Sequence, residues 1–226
     1  MTRRMILPLV FGLAGAAILV GLGIWQLQRL EWKRGVLAGM EARISAAPVA
    51  LPAAPGPEAD NYRAVRLAGR IGAEELHVLV TRKSFGPGFR VVAPFETADG
   101  RRILLDRGYV REVDKDAPRA AGPAEVTGNL IWPDDYDPAF TPPPDTGRNI
   151  WFARQLPEMA EALGTAPVMV VVRDSTRAEP TLTPWPVDSS GVANDHLEYA
   201  ITWFSLAVLW LGMTAYLLWR IRRRTV

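Results

Sequence analysis

Two histidines, His77 and His196, are the only imidazoles in this chain of 226 residues, and there is no cysteine. Thiolate nucleophiles, cysteine-held copper and iron–sulfur clusters are therefore excluded. His196 lies in NDHLEYAITWF, residues 194–204, at the threshold of a long apolar run. Asp195 and Glu198 read as a helix start, with Asp195 as N-cap and Glu198 reaching back from the third position. His196 then occupies the first turn, where the positive end of the helix dipole disfavours imidazolium. A neutral imidazole is the form that ligates metals. His196, Tyr199 and Trp203 stand at i, i+3 and i+7, on one helical face. An imidazole, a phenol and an indole so arranged could offer a porphyrin an axial donor and an apolar wall. The same residue types also populate interfacial belts at membrane surfaces. Residue chemistry alone leaves both readings open.

Other chemistry is poorly supported. His77 sits in ELHVLV, whose alternation places it with Glu75 and Leu79 as a surface or strand-packing residue. There is no G-x-S-x-G, no phosphate-binding G-x-x-x-x-G-K-[ST] and no H-E-x-x-H. Neither histidine has a serine in a familiar local pattern. The adjacent acids Glu74–Glu75 and Asp134–Asp135 read as solvated loop carboxylates. Six scattered methionines do not form a copper-binding cluster. An enzyme acting on soluble substrates is not expected.

The elements that would position His196 are clearer. Residues 5–27 and 199–219 contain no charged side chain. At about 1.5 Å per residue these runs reach roughly 34 and 32 Å as helices, enough for a hydrocarbon core about 30 Å thick. The first run outlasts a signal-peptide h-region, so a retained anchor is expected over 5–27. The second is followed at once by Arg220, Arg222, Arg223 and Arg224, which argues against a soluble core helix. With Arg3 and Arg4 before the first run, the positive-inside rule puts both termini in the cytoplasm. The intervening region carries 20 Lys+Arg against 24 Asp+Glu once the six flanking arginines are set aside. The basic character belongs to the tips, beside anionic lipid, and nothing points to nucleic acid.

Between the spans, residues 28–60 read as a helical extension followed by a Pro/Ala-rich extended linker, because proline breaks helices. Residues 61–193 read as a β-rich domain. Strands are expected at 62–71, 75–80, 125–132 and 167–173, with a hairpin over 89–110 turning at Asp99–Gly100. A short helix at 156–164 ends on Gly164. No internal repeat or heptad pattern is evident. The expected architecture is a membrane protein of α+β class. Two transmembrane helices, 5–27 and 194–219, flank an exported antiparallel β-rich domain, and a basic cytoplasmic tail closes the chain at 220–226.

Six stretches, taken in order, resemble the Surfeit-locus family of cytochrome c oxidase assembly factors. GIWQLQRLEWK (23–33) is similar to its G-x-W-Q-x-x-R-x-x-W-K element, and YRAVRLAG (62–69) to its Y-R-x-V-x-x-x-G strand. FRVVAPF (89–95) and ILLDRGYV (103–110) resemble its V-V-x-P-F and V-N-R-G-[WF]-V pair. NIWFARQLPEMAEALGTAPVMV (149–170) resembles its late helix-and-strand unit. NDHLEYAITWFSLA (194–207) is similar to N-x-H-L-x-Y-x-x-T-W-[FY]. Tyr109 stands where the family often has Trp or Phe, and Asp106 where it often has Asn.

The resemblance implies a non-catalytic factor in a bacterial inner membrane, with a periplasmic central domain. It implies a role in maturing subunit I of the oxidase, and binding of haem a through the histidine at the entry of the second span, here His196. On that reading His196 donates a neutral nitrogen to the haem iron while Tyr199 and Trp203 wall the porphyrin. Trp25, Gln26 and Arg29 form the facing wall, Arg29 pairing with a propionate. The competing expectation is a scaffold whose spans dock on subunit I or on the haem a synthase without holding haem. A strongly perturbed carboxylate in the β-domain would instead revive a membrane-tethered enzyme.

Overall fold

The computed structural model describes residues 3–82, 85–177 and 179–224, the side chains of Arg3, Arg4 and Arg224 excepted. Those three side chains, with Thr225 and Val226 of the basic tail, lie outside the described residues. The chain forms two compact units. One comprises residues 1–39 with 189–226, the other residues 40–188.

The first unit is made of two helices, α1 (Arg3–Ser45), whose residues 40–45 belong to the second unit, and α4 (His196–Arg224). Both are long and apolar enough to cross a bilayer. Only 11 % and 6 % of their most apolar stretches are buried within the molecule. A soluble core helix would hide such a stretch, whereas here Ile6, Leu7, Phe11, Val208 and Leu209 are exposed and call for an apolar solvent. Pro8 sits in the second turn of α1, where few intrahelical bonds are lost to its missing N–H. Helix α1 continues unbroken past residue 28 to Ser45.

The second unit is a small barrel. Strands β2 (Ala64–Ile71), β6 (Gly122–Ile131), β7 (Met169–Ser175), β5 (Arg102–Arg111) and β4 (Gly86–Thr97) pair in that order. Pairing of β2 with β4 closes the ring. Gly69 permits this closure, because a β carbon there would run into the Glu96 carbonyl. Strand β3 (Leu76–Arg82) extends the sheet beyond β4, and β1 (Val49–Ala50) beyond β2. The sheet is mixed: β1–β2 and β5–β7 are parallel and the other five pairings antiparallel. Closure leaves few free edges to attract another strand.

Period-two alternation fills the barrel. Val65 and Leu67, Ala93 and Phe95, Ile103 and Leu105, Ala124 and Val126, and Val170 and Val172 share one interior cluster. On the other face α3 (Leu156–Leu163) lays Leu156, Met159, Ala160 and Leu163 against Val78, Val92, Leu104 and Met169. Strands β4 and β5 are buried on both faces, which explains their near-continuous apolar runs. Gly164 ends α3 in the left-handed conformation, φ +61°. The 45–60 linker is less extended than its prolines suggest. It contributes β1 and one helical turn, α2 (Pro57–Asp60), whose proline occupies the tolerated first position.

Candidate functional site

The two apolar helices pair through a seam of small and polar residues. Along α1 the seam runs through the buried or half-buried Gly12, Ala16, Leu19, Gly23, Gln26 and Leu30, and along α4 through His196, Ala200, Trp203, Ala207, Trp210 and Thr214, with Gly15, Leu22 and Phe204 half-buried beside it. Steps of four and three alternate on both helices, the spacing of a coiled-coil seam. The heptad pattern absent from the sequence reading is therefore present. Its seam residues are mostly Gly, Ala, Gln, His, Trp and Thr, with Leu only at 19 and 30, and apolar residues lie on the other faces too, so hydropathy offers no contrast. A β carbon on Gly12 would overlap Thr214, one on Gly15 the Trp210 indole, and one on Gly23 the Phe204 ring. As the number rises on one helix it falls on the other, so the helices are antiparallel. Trp210 Nε1 donates to the Gly12 carbonyl at 2.9 Å.

At the other end of this seam His196 meets Gln26. The imidazole Nδ1 lies 2.8 Å from the Gln26 amide oxygen. An amide oxygen only accepts, so Nδ1 is the donor, and in the neutral ring the lone pair is then on Nε2. No described residue hydrogen-bonds to Nε2. Gln26 is buried and His196 half-buried, so the ring is held at one nitrogen and open at the other. Helix α4 begins at His196, with Asp195 just before it and Glu198 in its first turn.

The other nominated residues occupy one flank of the helix pair. Residues advance roughly 100° round a helix. Trp25 and Arg29 therefore lie about 100° and 60° from Gln26 in the same rotational sense. Tyr199 and Trp203 lie about 60° and 20° from His196, again in that sense. In an antiparallel pair, equal rotations bring residues of both helices to the same side. Trp25 and Tyr199 are exposed there and Trp203 is half-buried. Arg29 stacks its guanidinium 3.9 Å from the Trp32 ring centroid and makes no ion pair among the described residues. Direct contact is thus established for His196 and Gln26, while Trp25, Arg29, Tyr199 and Trp203 lie on the flank beside them. An imidazole lone pair, flat aromatic walls and an unpaired cation fit a metalloporphyrin with acidic side chains.

The barrel unit holds a separate charged cluster that sequence reasoning missed. Glu75 accepts from Arg107 Nη1 at 3.0 Å and lies 2.7 Å from Arg119 Nη2. Arg107 also reaches Glu179 at 3.4 Å. A bulge produces this: Val91 pairs with Gly108 and Val92 with Asp106, which leaves Arg107 as the extra residue of β5. Burial alone would raise the Glu75 carboxyl. Hydrogen bonds from His77 and Arg119, with the charges of Arg119 and Arg107, outweigh it and hold the carboxyl below its ordinary value. Of the two places open to His77, surface or strand packing, it takes the second: it is buried within the cluster, its Nε2 3.1 Å from Arg119 Nη2. A carboxylate pushed down in this way stays ionised, unlike an acid–base group poised near neutrality. Asp106, the departure from the family's usual Asn, is fully buried. Its charge is met by Arg90 at 2.7 Å, and it accepts from the Gly108 N–H at 3.1 Å.

Comparison with known sequences covers both units. Residues 13–208 match the SURF1 family model. A SURF1-like protein of Drosophila melanogaster is 32 % identical over 213 residues, covering 83 % of this chain and 69 % of the relative. Surfeit locus protein 1 of Homo sapiens is 30 % identical, covering 83 % and 69 %. A SURF1-like protein of Rickettsia conorii is 29 % identical, covering 84 % and 82 %.

Proposed function

The chain belongs to the SURF1 family, and from that premise we propose that it is a non-catalytic assembly factor for cytochrome c oxidase. It binds haem a at the membrane surface and presents it to subunit I, with the haem a synthase as the supplying partner. The observation that carries this reading is the His196–Gln26 hydrogen bond. By holding the proton on Nδ1, Gln26 aims the basic Nε2 outward, which is how outer-shell acceptors orient histidine ligands. Tyr199 and Trp203 supply the wall on α4, Trp25 the wall on α1, and Arg29 a partner for a propionate. The iron, when bound, would draw on the Nε2 lone pair. The residues of this chain orient the ring, exclude water from one side and neutralise an acidic edge. The setting is a bacterial inner membrane with both termini cytoplasmic and the barrel periplasmic, as the arginines at the chain's two tips favour.

A second reading is favoured by the loop 133–147, where Phe140 is 85 % exposed and Tyr136 is also exposed. Exposed aromatics of this kind suit a protein contact, and a scaffold for oxidase subunits would use them without holding haem. The two readings separate in one experiment. Protein purified from cells able to make haem a should carry its Soret band, and His196→Ala should lose it. Haem-free protein, with His196→Ala weakening only association with subunit I, would leave the scaffold.

A further inference from the structure

The flank that carries Trp25, Arg29 and Tyr199 does not end at His196. Deeper along the same side, Gly15, Ile18, Leu19, Leu206 and Trp210 line a hollow of about 300 Å³. Ile18 is eight residues below Gln26 and Leu206 ten beyond His196, which puts the hollow roughly 12–15 Å further into the membrane. Both stand about 80° from the seam in the rotational sense of Arg29 and Tyr199. A second hollow of about 360 Å³ follows, lined by Phe11, Met213 and Leu217 and sharing Trp210. The Trp210 indole is fixed between them by its bond to the Gly12 carbonyl and by Phe11, 5.5 Å away between ring centroids. One flank therefore presents, in line, a cation and aromatic rings at the interface and then a long apolar groove. Its occupant should have an acidic, flat head and a single long hydrocarbon chain.

We infer that this groove takes the isoprenoid chain of the porphyrin and makes the protein selective for a tailed haem over a tail-less one. The inference rests on the haem-binding reading above and adds to it a basis for specificity. Haem b and haem o differ only in that haem o bears a hydroxyethylfarnesyl chain in place of a vinyl group. Bulk lipid is as apolar as the groove, so the gain comes from close packing against Trp210, Ile18 and Leu206 rather than from escape from water.

The test is a pair of Soret titrations of the purified full chain in one detergent, with haem b and with haem o. Leu206→Trp fills the hollow from α4 and Ile18→Trp from α1. Val208→Trp adds the same bulk at an exposed position on the opposite flank. The ratio of haem o to haem b affinity should fall about tenfold in both groove variants, the scale of a dozen or so lost van der Waals contacts. It should be unchanged in Val208→Trp, and detergent partitioning cancels in the comparison. An equal ratio in all four proteins, with both haems still bound, overturns the groove and leaves the haem reading standing, the hollow being filled by lipid chains. Failure of the wild type to bind either haem overturns both.

Discussion

His196 and Gln26, 170 residues apart in the chain, are joined by a 2.8 Å hydrogen bond from Nδ1 to an amide oxygen. That bond ties the first turn of α4 to the middle of α1 and decides which imidazole nitrogen is free. Gln26→Leu removes the acceptor while keeping the bulk. Loss of an outer-shell partner typically weakens metal affinity 10- to 100-fold, and a loss in that range is expected in haem titrations. Gln26→Glu keeps an acceptor at the same place and should restore most of the affinity. A Gln26→Leu variant that binds as the wild type would assign Gln26 to packing alone.

Close approach of the helices is a precondition for that bond. A β carbon on Gly23 would stand 2.6 Å from Phe204 Cε1, whereas Gly21 has nothing within 4 Å. Gly23 is one turn from Gln26. Gly23→Leu should push the helices apart locally and weaken haem binding about as much as Gln26→Leu. Gly21→Leu should leave binding unchanged. Equal titration curves for the two glycine variants would show that the His196 site tolerates separation of the helices.

Much of this architecture is legible in the chain. Two charge-free runs announce the helices, alternation in YRAVRLAG announces a barrel strand with one face to the interior, and Asp99–Gly100 announces the hairpin that FRVVAPF enters. Closure is not legible, since it depends on Gly69 letting β2 reach the Glu96 backbone, a contact between distant strands. The family resemblance nominated Gln26 as part of a wall, but its bond to His196 spans nearly the whole chain. His77 was expected as a surface or strand-packing residue because ELHVLV alternates. The structure buries it, since Arg119, in a loop with no sequence signal of its own, folds over it.

The Glu75 cluster sets a dependence of stability on pH. The carboxyl is held below its ordinary value in the folded barrel and returns to about 4.3 in the unfolded chain. A group with a depressed folded value stabilises above its unfolded value, and that contribution is lost as pH falls through the folded one. Wild-type melting temperature should therefore drop on acidification below about pH 4.3. Glu75→Gln leaves the buried guanidiniums of Arg107 and Arg119 without this partner. Breaking one side of a buried ion cluster costs about 3 kcal/mol. Thermal unfolding followed by circular dichroism should show that loss near neutrality, with a flatter acid limb. A variant with the wild-type acid limb would move the pH dependence to other carboxylates.

Arg29 offers a finer test of how the acidic edge of a porphyrin is held. Its guanidinium carbon lies 3.9 Å from the Trp32 ring centroid and the group has no carboxylate partner among the described residues. Trp32 fixes its direction, which reduces the side-chain entropy that an ion pair must overcome. Exposed ion pairs contribute about 0.2–1 kcal/mol, so Arg29→Gln should weaken binding of free-acid haem by up to about fivefold. The loss should shrink as salt rises, since exposed charges are screened within about 10 Å at 0.1 M. Haem dimethyl ester has no propionate charge and should bind Arg29→Gln and wild type equally. If the ester is weakened as much as the free acid, Arg29 acts through its stack on Trp32 and not through its charge.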